Sequence, residues 1–212
     1  MTDHDDDPLV QRLPTILGGV LATLAIVVGG LWVSGKAGLP SPQAVLSQAI
    51  PHSQPELTGP VYAIGDSVLL GAKTCLRGTD VRAHAAENRT MRAGAKRIET
   101  RAVAGRLPPR VVVALGTNGP FGYKALDRIM RAAGPERAVY WVTVELPDVE
   151  RYAYENVVNQ RLRAMPGRWP NARVIDWNAS VLTVGLYPDG IHLNPMGCQA
   201  YATLITEGVA KR

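Results

Sequence analysis

Five short apolar, β-rich runs recur along most of this chain, and a helical pattern follows each of them. The runs are Val61–Gly65, Asp80–Ala85, Arg110–Gly116, Ala138–Glu145 and Ala172–Trp177. The helical patterns lie near 67–78, 89–105, 122–134, 153–166 and 195–210. Strands that are apolar on both faces need cover on both sides, and helices inserted between consecutive strands supply it when the strands run parallel. About 155 residues suffice for one such core. The alternation therefore predicts an α/β domain built on a five-stranded parallel sheet covered on both faces. No internal repeat is visible.

The first sixty residues have a different texture. Thr15–Ser34 is a run of 20 residues without a charge or a polar stripe. At about 1.5 Å per residue it spans a hydrocarbon core of roughly 30 Å. It is expected to be a transmembrane helix, 15–34, behind an acidic tail, 1–14. The acidic tail and the length of the run fit a cleaved signal peptide less well. No cysteine follows to receive a lipid. Arg12 on one side and Lys36 on the other leave the orientation open. The Pro- and Gly-containing stretch 35–56 reads as a semi-extended tether, so the folded part is expected over 57–212.

Composition excludes several classes. Two cysteines cannot make a disulfide-rich scaffold or a Cys-based zinc site, and the four histidines form no HExxH pair. No metal or cofactor is therefore expected. The tail 1–14 holds four Asp and one Arg, whereas residues 35–212 carry 22 basic and 14 acidic side chains. A basic domain is compatible with nucleic acid, an anionic envelope polymer or an ordinary soluble surface. Nucleic acid is disfavoured, because no zinc finger, RNP-like motif or Lys/Arg tail is present.

In open α/β sheets, ligands bind beyond the carboxyl ends of the strands. Three such exits carry unusual sequences. Gly65-Asp66-Ser67 follows the first strand and would expose a hydroxyl and a backbone N–H at the sheet edge, though a helix N-cap explains it equally. Gly116-Thr117-Asn118-Gly119 follows the third, where an amide can donate to an oxyanion or simply make a turn. Asp189-Gly190-Ile191-His192 precedes the last helix, which Pro195 opens; its spacing lets a carboxylate orient an imidazole. Each piece alone is weak. Together they lie at one edge of the expected sheet.

With these blocks the sequence resembles the SGNH hydrolase family over roughly residues 60–210. The shared texture of Gly65-Asp66-Ser67-Val68, Leu115-Gly116-Thr117-Asn118-Gly119, Asp176-Trp177-Asn178 and Asp189-Gly190-Ile191-His192-Leu193 is most similar to the extracellular SGNH domain of peptidoglycan O-acetyltransferases. The resemblance implies a flavodoxin-like three-layer sandwich, with Ser67 as nucleophile, His192 as general base and acid, and Asp189 as the carboxylate orienting it. It also implies an oxyanion hole from the Ser67 N–H and the Asn118 amide. The family's second block normally supplies a glycine N–H there; Asn88-Arg89-Thr90 stands in its place, making Asn88 the third donor expected.

The reading expected from this resemblance is a membrane-anchored, extracytoplasmic serine acyltransferase that moves a small acyl group, acetyl by likeness, onto cell-envelope glycan. Transferases of that type carry a many-helix membrane part, so a chain with one helix would need a separate multi-span membrane acyltransferase as donor. Two alternatives stay open: an SGNH esterase or deacetylase that uses water, and a non-catalytic, tethered glycan-binding module.

Other features have plainer readings. Cys75 and Cys198 fall on the first and last helical patterns, whose approach in this fold would permit a disulfide outside the cytoplasm; two free thiols fit as well. Arg89, Arg92 and Lys96 fall at helical spacing in a region, 82–110, with eight basic and two acidic side chains, and read as a solvated stripe. Trp141 and Trp177 sit in expected strands and read as core.

Overall fold

The computed structural model describes residues 58–181 and 183–211. The acidic tail 1–14, the apolar run 15–34 and the tether 35–56 lie outside the described residues. Among those described, no helix is long and apolar enough to cross a membrane.

Five parallel strands form one sheet: β1 (Val61–Gly65), β2 (Val81–Ala85), β3 (Arg110–Ala114), β4 (Ala138–Val142) and β5 (Ala172–Ile175). Their order is β2-β1-β3-β4-β5, the flavodoxin-like arrangement. Among the described residues, seven α-helices accompany them: α1 (Ser67–Ala72), α2 (Met91–Val103), α3 (Tyr123–Ala133), α4 (Glu155–Arg163), α5 (Met165–Arg168), α6 (Trp177–Ser180) and α7 (Pro195–Ala210). Helices α2 and α3 pack together, as do α1 and α7, the pairing that the right-handed crossover rule for parallel strands gives on opposite faces of a sheet of this order.

The three inner strands β1, β3 and β4 are buried at every residue, whereas on the edge strand β2 only Val81 is buried, with Ala83 and Ala85 half-buried and Arg82 and His84 exposed. Val111, Val112, Val113, Val139 and Trp141 are fully buried, and Ile98, Leu126, Ile129, Leu162 and Ile205 close over them from the helices. Each such aliphatic or aromatic side chain contributes roughly 1.5–3 kcal/mol on burial. Trp141 is core, as expected.

Several elements stop earlier than the apolar runs suggest, each for a local reason. β3 ends before Gly116, whose φ of +148° departs from strand geometry. β4 ends because the side-chain amide of Asn159 takes both backbone groups of Val144, accepting from its N–H and donating to its carbonyl at 2.8 Å each. Trp177 is not in a strand: Asp176 accepts from the Ala179 N–H and caps α6, so Trp177 opens that helix while still buried. The pattern over 153–166 divides into α4 and α5, with Pro166 in the first turn of α5, where its missing N–H is harmless. The first helix ends at Ala72, and Cys75 lies in the turns beyond it.

Candidate active site

Strand order reverses at β1, which is flanked by β2 and β3. The carboxyl ends of β1 and β3 therefore form the topological switch point, where a crevice opens. The chain leaves β1 through Gly65, where a Cβ would lie 2.3 Å from Leu69 Cβ and 2.8 Å from the Ala114 carbonyl oxygen. Only glycine permits so abrupt a strand-to-helix turn. Asp66 then caps α1 through the Val68 N–H at 3.1 Å, which fixes Ser67 as its first residue. Ser67 is half-buried on the crevice wall.

The loop before α7 brings the imidazole to that hydroxyl. Buried Ile191 and Leu193 anchor it, Leu193 pairs in a bridge with Leu186, and the Tyr187 N–H donates to the His192 carbonyl at 2.8 Å. Asn194 caps α7, accepting from the N–H groups of Met196 and Gly197. His192 Nε2 lies 3.0 Å from Ser67 Oγ, and Nδ1 lies 2.7 Å from Asp189 Oδ2. The other carboxylate oxygen of Asp189 accepts from the N–H groups of Ile191 and His192, both at 2.9 Å. Desolvation acts to raise this carboxyl, but those two N–H groups and the ring together hold it down, at about 2. An ionised Asp189 favours the tautomer with Nδ1 protonated, leaving Nε2 free to accept the serine proton.

The exit of β3 supplies the facing wall. Asn118 donates through its amide to Thr117 Oγ1 at 3.2 Å and, at the outer limit of a hydrogen bond, to the Arg89 carbonyl at 3.5 Å. Asn88 has φ +55°, the left-handed region, and is the one non-glycine residue there among those described. Its place in the crevice wall is thus a glycine-like backbone position filled by a residue type that tolerates it. Ser67, Asn88, Asn118 and His192 all line one open cleft of about 580 Å³, within the usual range for small-ligand sites. All the residues singled out in the sequence for acyl chemistry are brought together.

Cys75 and Cys198 are bonded to each other, Cα to Cα 5.9 Å, and tie the segment after α1 to the first turn of α7. Ser67, at the start of α1, precedes the first of these joined segments, and His192, in the loop before α7, precedes the second. Among the described residues, no group of three His, Cys, Asp or Glu side chains is placed to hold a metal.

Other site residues escaped the sequence reading. Asp66 is almost wholly buried, and burial raises its carboxyl above the ordinary value against four hydrogen bonds that lower it. Tyr154 donates to the Thr117 carbonyl at 2.8 Å and accepts from the Gly119 N–H at 3.2 Å, clamping the loop that carries Asn118. Arg151 and Tyr152, from the same connection after β4, line the cleft. The signal was the polar-aromatic stretch Arg151-Tyr152-Ala153-Tyr154 beyond a strand exit. Arg89 does not belong to a solvated stripe with Arg92 and Lys96: its guanidinium donates to the carbonyls of Gly65, at 2.9 Å, and His84, binding the ends of β1 and β2.

No family model matches the chain. Curated relatives do. The chain is 27% identical over 153 residues to a protein of Bacillus subtilis named putative peptidoglycan O-acetyltransferase YrhL, covering 70% of this chain and 23% of that protein. It is 31% identical over 103 residues to the peptidoglycan O-acetyltransferase OatA of Listeria monocytogenes, covering 48% of this chain and 16% of the other. The chain thus spans less than a quarter of the length of these relatives. Among solved structures, the C-terminal catalytic domain of Streptococcus pneumoniae peptidoglycan O-acetyltransferase A, carrying a methylsulfonyl adduct, superposes with a TM-score of 0.65. It is 23% identical, over 73% of this chain and 96% of that one. A lipolytic G-D-S-L family protein of Veillonella parvula gives 0.60 at 18% identity, over 73% and 100%. Sheet order and these likenesses converge: the domain has the fold of the SGNH hydrolases, and part of the chain is similar in sequence to proteins named peptidoglycan O-acetyltransferases.

Proposed function

We propose that this protein is a serine O-acetyltransferase acting on peptidoglycan, held at the outer face of the cell membrane by the apolar segment 15–34. The observation that carries the reading is the hydrogen-bonded chain Ser67–His192–Asp189, at 3.0 and 2.7 Å, facing Asn118 across one cleft.

The reaction runs in two halves. His192 Nε2 takes the Ser67 proton as Oγ bonds to the carbonyl carbon of an acetyl donor. The carbonyl oxygen becomes an oxyanion facing the Ser67 N–H, the Asn118 amide and the backbone N–H at Asn88; one such donor is worth about 3 kcal/mol in the transition state. The amide's 3.5 Å contact with the Arg89 carbonyl is weak enough to exchange for the oxyanion. Collapse breaks the bond to the leaving group, which departs with the proton from His192, and acetyl-Ser67 remains. In the second half His192 removes a proton from a sugar hydroxyl, that oxygen attacks the ester, and the proton returns to Ser67.

The acetyl donor is a separate multi-span membrane acyltransferase that exports the group. The esterase reading is favoured by one feature: the His192 side chain is 47% exposed, so water can reach the acyl-enzyme.

The test uses the full chain in detergent micelles, wild type and Ser67→Ala, with an activated acetyl ester and peptidoglycan oligosaccharide. Mass spectrometry follows acetylated oligosaccharide and free acetate. Ser67-dependent acetylated sugar is expected. Acetate alone, still Ser67-dependent, establishes the esterase, and identical behaviour of the two proteins removes catalysis altogether.

A further inference from the structure

In a parallel sheet every strand starts at one edge and ends at the other, and here the two edges differ in charge. The connections that leave the carboxyl ends of the strands (66, 86–90, 115–122, 143–154 and 176–194) hold seven acidic residues against Arg89 and Arg151. Those at the amino ends (58–60, 73–80, 104–109, 134–137, 169–171, and 211 after α7) hold five basic residues against Asp80 and Glu136. Arg77, Arg106 and Lys211 are exposed and make no ion pair among the described residues, whereas Asp80 is answered by the Arg110 guanidinium at 3.8 Å. Val103, which ends α2 just before Arg106, is 91% exposed. The chain also enters β1 at this basic edge, through the exposed residues Thr58, Gly59 and Pro60.

We propose that the amino edge of the sheet is a docking face for an anionic phospholipid bilayer, which holds the Ser67 cleft turned away from the lipid. The proposal rests on the reading that segment 15–34 anchors the chain, and it adds how the domain stands on that membrane. A tether alone would let the domain tumble. Each Lys or Arg brought near an anionic surface strengthens the attraction roughly fivefold, within a Debye length. That length is about 8 Å at physiological salt. The five-residue strands hold the two edges roughly 16 Å apart. The bilayer therefore attracts the basic edge without reaching the acidic one, and in the opposite orientation it repels the acidic edge. Val103, between Arg101 and Arg106 in sequence, offers an aliphatic contact to the headgroup layer. A wall polyanion fits less well, because the basic edge is the one remote from Ser67 and the connections around the cleft are acidic.

The full chain is reconstituted in nanodiscs of phosphatidylcholine, with or without phosphatidylglycerol, that contain a lipid bearing a nitroxide on its headgroup. Cys75 and Cys198 are bonded to each other, so Val103→Cys, or Val149→Cys at the carboxyl edge, takes a single fluorophore. Anionic discs are expected to quench the label at 103 at least twofold more than neutral discs, and to leave the label at 149 unaffected. Salt at about 1 M, where the Debye length is about 3 Å, should remove the difference. So should Arg77→Glu/Arg106→Glu. The same charge change at the starts of α2 and α3, Arg92→Glu/Lys124→Glu, should keep it. Thermal melts confirm that both double variants fold. Equal quenching at 103 in the two kinds of disc, or a difference that survives the Arg77 and Arg106 reversal, overturns the docking face and leaves the anchor standing. Protein that co-elutes with neither disc overturns the anchor and the docking face with it. A label at 103 that responds to soluble polyphosphate but not to anionic discs assigns the edge to a wall polyanion and likewise overturns the proposal.

Discussion

Asp66 and Thr117, on the exits of two neighbouring strands, are joined by a buried pair of hydrogen bonds: one carboxylate oxygen accepts from the threonine hydroxyl at 2.8 Å and from its N–H at 3.4 Å. The other oxygen accepts from the Val68 N–H at the start of α1. A single carboxylate therefore sets the turn holding Ser67 against the turn holding Asn118. Asp66→Asn keeps the shape but puts an amide where every partner is a donor. It should cost about 1–3 kcal/mol of stability, the usual penalty for mismatched buried donors. It should also lower kcat on an activated ester more than KM changes, because the oxyanion donors move relative to the nucleophile. Kinetics and thermal unfolding on one preparation test both; an unchanged kcat would show that Asp66 only stabilises.

Asp189→Asn should be far more damaging to rate than to folding. The amide oxygen can still accept from the Ile191 and His192 N–H groups. Its NH2, however, would face His192 Nδ1 and select the tautomer protonated at Nε2, which cannot take the Ser67 proton. A loss on the order of 10³–10⁴ in kcat is expected, with the melting temperature little changed. A loss below tenfold would remove Asp189 from the orienting role.

Asn88 separates backbone from side-chain function. If its N–H serves the oxyanion, Asn88→Gly should retain activity within a few-fold and keep the fold. Asn88→Val places a β-branched residue at φ +55°, at a cost of roughly 1–2 kcal/mol or more, and should lose both stability and rate. Activity lost in the glycine variant would mean that the side chain contacts substrate.

The order in which this architecture becomes legible follows the range of the interactions. Inner strands read directly from runs such as Arg110–Ala114, because a strand covered on both faces needs apolar residues at successive positions. Ser67, Asn118 and the Asp189–His192 pair were legible because strand exits are where such a sheet binds, and because short-range spacing sets the Asp–His contact. Tyr154 was not, since its partners at Thr117 and Gly119 are more than thirty residues away and depend on the path of the chain after β4. Arg89 was misread for a similar reason: helical spacing relates it to Arg92 and Lys96, but it precedes α2 and turns back to carbonyls at the strand ends. Trp177 shows a different failure, where a β-prone residue follows a capping Asp and the cap prevails.

The bond between Cys75 and Cys198 closes a separation of 123 residues. On loop entropy alone, closing so long a loop stabilises the native state by up to about 5 kcal/mol. The Cys75→Ala/Cys198→Ala variant should melt many degrees lower. It should also lose kcat below its own melting transition, because the link joins the segment after Ser67 to the helix after His192. Reductant should reproduce both effects in the wild type and neither in the variant.

Acid should weaken the domain through Asp176. The Arg163 guanidinium, bonded to both carboxylate oxygens at 2.8 Å, is the largest influence on this group. It outweighs partial burial and, with Thr143 and the Ala179 N–H, holds the carboxyl at about 2. A carboxyl depressed in the folded state contributes stability that is complete above its unfolded value, near 4, and disappears as pH falls toward 2. Arg163→Leu removes the cause. The stability difference between wild type and variant, followed by urea unfolding, should be largest at pH 6 and shrink between pH 4 and 2. It should not reach zero, because Arg163 also donates to the Asn178 side-chain oxygen at 2.9 Å, a bond that does not titrate with Asp176. A difference independent of pH across that window would mean that Arg163 acts by packing and not by charge.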